Sequence, residues 1–169
     1  MVVSCSTASK ITVATPKLAN QTVYYFFRHA EVVQDVTTND PILSVAGKQR
    51  ALNYVNFFKN ISVDAIYSTN FNRTKQTAQP LATSKQLELE IYNPYKIDYE
   101  AFKQKNKNKT VVVVGHSNTT PDFANKIIGK MLYSQMTEDN HSDIIKVVVN
   151  ADNSISSEII ELKMEGEKK

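Results

Sequence analysis

The chain has 169 residues, enough for one domain with its own core, and its 41% hydrophobic and 22% charged residues are those of an ordinary globular protein. The formal charge of +3 is mild, and the lysines gather in residues 103–110 and at the C-terminus without interleaved aromatics, which argues against a nucleic-acid surface. A single cysteine, Cys5, excludes an internal disulfide and a cysteine-based zinc cage, and no apolar stretch approaches the roughly 18 residues of a membrane span.

Residues 1–20 are small and polar and read as a disordered leader ahead of one domain over 21–169. Within it, "VVSC" followed by a polar tether resembles the end of a bacterial lipoprotein signal, although the charged and apolar parts of such a signal are missing. A lipid on Cys5 would place the protein at the cell envelope; otherwise a bacterial cytoplasm is expected.

"TVYYFFRH" (22–29) is β-branched and aromatic without a break, the pattern of a strand covered on both faces. Ser44 can cap a helix over the next 16 residues, in which Ala51, Tyr54 and Phe58 recur at helical spacing. "VDAIYS" (63–68) is a second strand. Residues 70–86 read as a helix capped by Asn70, which Pro80 should kink or restart. A short helix is expected over 98–105. "TVVVVGH" (110–116) is the clearest buried strand, with a helix after it capped by Thr120, with Pro121 in its first turn. Residues 143–150 and 154–164 look like two strands paired through the turn "NADNS". Strands alternating with helices predict an α/β fold with a largely parallel sheet.

Two of these strands end alike. The first delivers Arg28 and His29, and the valine-rich one delivers His116 after a glycine. Arg73 follows the end of "VDAIYS" by five residues. In parallel sheets ligands bind just beyond the carboxyl ends of the strands, so two arginines and two of the three histidines are expected around one site. Guanidinium forks and helix N-termini favour an oxyanion such as phosphate. Paired arginines repel a cation, and no carboxylate flanks the histidines at ligand spacing, so no metal is expected. A histidine beside bound phosphate either donates a hydrogen bond or, kept neutral by neighbouring cations, attacks phosphorus. His141, in "EDNHSD", has no motif around it and reads as a loop residue; Tyr92, Tyr95 and Tyr99 are open between lining the rim of the pocket and packing on the sheet.

"FFRHAE" resembles the Arg-His-Gly-Glu signature of the histidine phosphatase superfamily, the phosphoglycerate-mutase-like proteins. "PILSVAGKQRA", "IYSTNFNRTKQTAQPLA" and "VVVVGHSNTTPDFANKIIG" follow in that family's order, from about residue 22 to residue 129. The resemblance implies a three-layer α/β/α sandwich with a mostly parallel central sheet and a cofactor-independent phosphatase of the short, branch-1 type. It implies His29 as the phosphorylated nucleophile, Arg28, Arg73 and His116 as ligands of the transferring group, and Ser117 and Asn118 as pocket lining. Ala30 stands where the family has glycine. The proton donor is open among Glu31, Asp35, Asp98 and Glu100, with Asp40, Glu88 and Glu90 also in reach by position. The expected partner is a phosphorylated small molecule or a phosphoprotein, and no cofactor is implied. A phosphate- or phosphoprotein-binding module without chemistry is the alternative. A phosphomutase is a further one, which would need a closed cap to exclude water.

Overall fold

The computed structural model describes residue 18, residues 20–34 and residues 37–164; Cys5, most of the leader and Asp35 lie outside them. The first strand, β1 (Thr22–Arg28), is buried along its whole length. It lies between β4 (Thr110–Gly115), which it pairs in parallel, and β5 (Asp143–Val149), which it pairs antiparallel. On the far side of β4 come β2 (Ala65–Thr69) and then β3 (Leu89–Tyr92), both parallel; beyond β5 comes β6 (Ile155–Glu161), antiparallel. The sheet order is β3-β2-β4-β1-β5-β6.

The period-2 alternation within the unbroken apolar runs explains the layers. Tyr24, Phe26, Val111 and Val113 point to one face, into a core with Phe102 of α3 (Tyr99–Lys105) and Phe123 and Ile127 of α4 (Thr119–Ile128). Tyr25, Phe27, Val112 and Val114 point to the other, against Tyr54 of α1 (Val45–Phe57), Phe58 just after it, and Leu81 of α2 (Asn72–Lys85). The result is the expected α/β/α sandwich.

Local chemistry sets the helix ends, not always where the sequence suggests. Ser44 does cap α1, accepting from the Gly47 N–H at 3.1 Å. Asn70 does not cap α2. The N–H of its first residue, Asn72, is met from a distant loop, where both Asp40 carboxylate oxygens accept from it at 2.8 and 3.0 Å, a charge-assisted cap at the positive end of the helix. Asn118, not Thr120, caps α4. Helix α2 runs through Pro80 without restarting. Strand β3 was not anticipated: it is four residues long, at the sheet edge, with Ile91 exposed and Glu90 paired to Lys105.

Two glycines let the layers close near the strand ends. A Cβ on Gly47 would stand 2.0 Å from the Glu31 carbonyl oxygen, so only glycine lets α1 press on the loop that follows His29. A Cβ on Gly115 would stand 2.8 Å from Thr120 Oγ1 and 3.0 Å from the Tyr92 hydroxyl, so the residue before His116 is held to hydrogen by both neighbours.

Candidate active site

Strands β1, β2 and β4 run in parallel, so their carboxyl ends share one edge of the sheet. Arg28 is the last residue of β1, and the His29 N–H donates to the Gly115 carbonyl at 2.9 Å, carrying the pairing one step beyond the strand. His116 follows directly on β4, and Arg73 is the second residue of α2. All four line one pocket of about 850 Å³, together with Ser117 and Asn118. The rings of His29 and His116 stand 5.6 Å apart between centroids.

The loop around His29 is braced. The Ala30 N–H donates to Thr77 Oγ1 at 2.9 Å, and Ala30 is fully buried without a left-handed backbone, so alanine stands in the glycine position without strain. Glu31, expected as a candidate acid, turns away to Arg50, whose guanidinium donates to it at 2.6–3.0 Å; burial pushes the Glu31 carboxyl up, but the Arg50 bonds outweigh it and hold the group below its ordinary value. Asp98 caps α3 through the Ala101 N–H, and Glu100 pairs with Lys103. Asp40 caps α2 and pairs with Arg73 at 3.4 Å. None of these carboxylates lines the pocket.

The carboxylate that does line it is Glu138, which the sequence reading passed over. One Glu138 oxygen accepts from Arg28 Nη2 at 2.6 Å, and the other from the Ser117 hydroxyl at 3.0 Å. Arg28 Nη1 donates to the carbonyls of Thr137 and Glu138 at 3.0 and 2.6 Å. This loop is tied beneath the pocket by the Met136 N–H, which donates to the Ser117 carbonyl at 2.9 Å. His141, read as a plain loop residue, also comes here: its Nδ1 donates to the His29 carbonyl at 2.8 Å, and the two rings lie 5.8 Å apart. The bare spacing of "TEDNHSD" carried no periodicity by which to find either residue. Of the tyrosines, Tyr92 and Tyr95 line the pocket, and Tyr99 packs against Phe123 in the core.

The electrostatics favour neutral imidazoles among fixed positive charges. Burial lowers His29 to about 3, with Arg28, Arg73 and His116 adding to the effect and the Ala30 carbonyl opposing it. Burial likewise leads in lowering His116 to about 4, followed by Arg73 and Arg28. Desolvation, not the neighbouring cations expected from the sequence, is the larger cause. The tautomers follow from the partners. His29 Nδ1 faces the Ala30 carbonyl at 2.8 Å, an oxygen that can only accept, so Nδ1 holds the proton and Nε2 keeps its lone pair. His116 Nδ1 faces the always-donating Arg73 Nη2 at 3.4 Å, so its proton sits on Nε2 and goes to Thr69 Oγ1 at 2.9 Å. Arg28 Nε is buried with no hydrogen-bond partner among the described residues.

Comparison with known proteins bears on the fold. Residues 24–93 match the family model described as Histidine phosphatase superfamily (branch 1). No curated protein sequence matches the chain. Among solved structures, the protein histidine phosphatase SixA complexed with tungstate superposes with a TM-score of 0.63 at 13% identity, covering 82% of this chain and 96% of that one. Phosphoserine phosphatase from Entamoeba histolytica gives 0.64 at 16% identity, covering 85% and 98%. A mycobacterial glucosyl-3-phosphoglycerate phosphatase gives 0.58 at 12% identity, covering 86% and 99%. At such identities the likeness is one of fold.

Proposed function

We propose that this chain, a histidine phosphatase superfamily (branch 1) protein by its matched segment and its fold, hydrolyses phosphate monoesters through a phosphohistidine on His29. One observation carries the reading: a buried imidazole, neutral and with its lone pair on Nε2, stands among two guanidiniums and a second imidazole in one pocket. A histidine meant only to donate to phosphate would gain from being charged; one meant to attack must be neutral.

The reaction then runs in two displacements. His29 Nε2 forms a bond to phosphorus as the bond to the leaving oxygen breaks. Arg28 and Arg73 hold the equatorial oxygens, and His116 joins them by turning its Nε2–H from Thr69 Oγ1 to the anion; positioning and charge stabilisation supply most of the rate. Glu138 holds Arg28 and Ser117, the donors a phosphoryl group needs. A dianion that takes over those donors brings its leaving oxygen beside the Glu138 carboxyl, which as the acid gives a proton to that oxygen. Glu138 then takes one from the water that attacks phosphorus, and the electron pair of the N–P bond returns to Nε2. Hydrolysis is favoured over transfer back to substrate because the mouth is open: Tyr95 is 80% exposed and the Glu138 side chain 77%.

The test is turnover of p-nitrophenyl phosphate with His29→Ala as control. Loss of the covalent nucleophile should cost at least about 10³-fold in kcat. Equal rates in the two proteins end the proposal. Acid-stable, base-labile labelling would also contradict it, because a phosphoramidate has the opposite lability.

A further inference from the structure

The pocket is far larger than a phosphoryl group, and its remaining wall has a definite chemistry. Phe71, Ile91, Pro94 and Tyr95 form it, from the connection before α2 and from the end of β3 with the turn after it. Phe71, Ile91 and Tyr95 are 38%, 51% and 80% exposed, large apolar side chains gathered at one mouth. Phe71 is fixed in place: the Arg73 guanidinium lies over its ring at 4.5 Å, and its ring meets His116 edge-on at 5.0 Å and 87°. An aromatic face is thus held directly beside two of the groups that would bind the phosphoryl oxygens.

The charges of the pocket are as informative. Among the described residues its fixed charges are Arg28, Arg73 and Glu138. Both arginines are committed to the phosphoryl end, and the other polar side chains on the wall are neutral. A leaving group carrying a carboxylate or a second phosphate would meet no cation and would approach Glu138. A neutral aromatic leaving group would stack on Phe71 and Tyr95 and lose no solvation of charge.

Resting on the phosphatase reading above, we propose that the site selects aryl phosphate monoesters with an uncharged leaving group, whether a free phenol or a tyrosine side chain in a peptide. The preference is set by the wall of Phe71, Ile91 and Tyr95.

Leaving-group chemistry must be matched to test this. Phenyl, 2-naphthyl and 4-carboxyphenyl phosphates release phenols of similar acidity, so their kcat/KM values compare recognition. We expect 2-naphthyl phosphate to exceed 4-carboxyphenyl phosphate about tenfold, the scale of one aromatic contact with a charge penalty added. Tyr95→Arg, a change at a largely exposed position, should bring the two within about twofold by offering the carboxylate a partner. Equal or better turnover of the carboxylated ester by the unaltered protein overturns the inference and leaves the phosphatase reading standing. A binding arm separates the two in the other direction: benzylphosphonate should bind about tenfold tighter than phosphonoacetate by calorimetry, whether or not any ester is turned over. The reverse order overturns the inference. A phosphotyrosine peptide turned over faster than phenyl phosphate supports the aryl reading with a protein source, and the opposite order supports it with a small-molecule source.

Discussion

At the amino ends of β1 and β4 lies a cavity of about 1190 Å³, larger than the pocket of about 850 Å³ at their carboxyl ends. Its charged lining is Asp64, Lys146 and Glu158. Lys146 Nζ donates to Glu158 at 2.8 Å, and Asp64 accepts the Thr110 N–H at 2.7 Å at the start of β4. Each charge there is answered by a neighbour. At the carboxyl edge the histidines are stripped of charge by burial and two guanidiniums line one pocket, Arg28 paired with Glu138 and Arg73 with Asp40. Volume therefore does not mark the site; convergent charge of one sign does, at the end of the sheet where the strand order places helix N-termini.

The comparison breaks most visibly through the arginines. Arg73→Met or Arg28→Met should lower kcat/KM on p-nitrophenyl phosphate by about 10²- to 10³-fold, the range for removing one charge-stabilising donor. Arg28→Met should also free the loop bearing Glu138, so its melting temperature is expected to fall, which that of Arg73→Met should do less. Losses under threefold for both arginines would mean that the carboxyl edge is no more a reaction site than the amino edge.

Glu138→Gln sharpens the same contrast in two observables. Removing the carboxylate that holds Arg28 and Ser117 should tighten inorganic phosphate inhibition severalfold, because a neutral amide competes less well for a guanidinium. Turnover of an alkyl phosphate should fall about 10²-fold and that of p-nitrophenyl phosphate much less, since a nitrophenolate leaves without a proton. Unchanged phosphate inhibition would refute the competition between carboxylate and substrate. Equal slowing of both esters would refute the proton transfer.

This residue also shows where the sequence stops being readable. Strands β1 and β4 were legible because both faces are buried, which leaves an unbroken apolar run, and their ends located Arg28, His29 and His116 by the geometry of parallel sheets alone. Arg73 was legible as the opening of a helix after a short strand. Strand β3 was not, because an exposed edge strand with an alternating glutamate looks like loop. Glu138 and His141 were not, because they arrive on an aperiodic segment whose position is set by contacts remote in sequence, to Ser117, Arg28 and His29. The Asp40 cap of α2 is remote in the same way, and so was assigned to Asn70.

Stability against acid distinguishes the two ends as well. His29 is lowered from 6.5 to about 3 and His116 to about 4 on folding, so the unfolded chain takes up protons that the folded one refuses. A depressed histidine contributes stability that is fully present above pH 6.5 and is lost as pH falls through the window from 6.5 to about 3. For His29 the slope approaches about 1.4 kcal/mol per pH unit inside that window. His116 adds in the same direction. Denaturant midpoints from pH 7 to pH 4 should therefore decline steeply in the unaltered protein and less steeply in His29→Asn. Parallel declines would mean that His29 is not held neutral by the fold.

The smallest effect belongs to the amino-end cavity, and its smallness is the point. Lys146→Met removes the cation of that cavity while keeping the aliphatic stem that packs beside β1 and β6. The lost partner, Glu158, is 58% exposed and can turn to water, so stability should shift by no more than about 1 kcal/mol. Turnover of p-nitrophenyl phosphate should stay within about twofold, because Lys146 is registered beside Tyr25, four residues before His29 on β1, roughly 13 Å away along the strand and beyond the Debye length of about 10 Å. A tenfold loss would instead make the larger cavity part of the reaction, and the rule that converging guanidiniums rather than volume mark the site in this fold would fail.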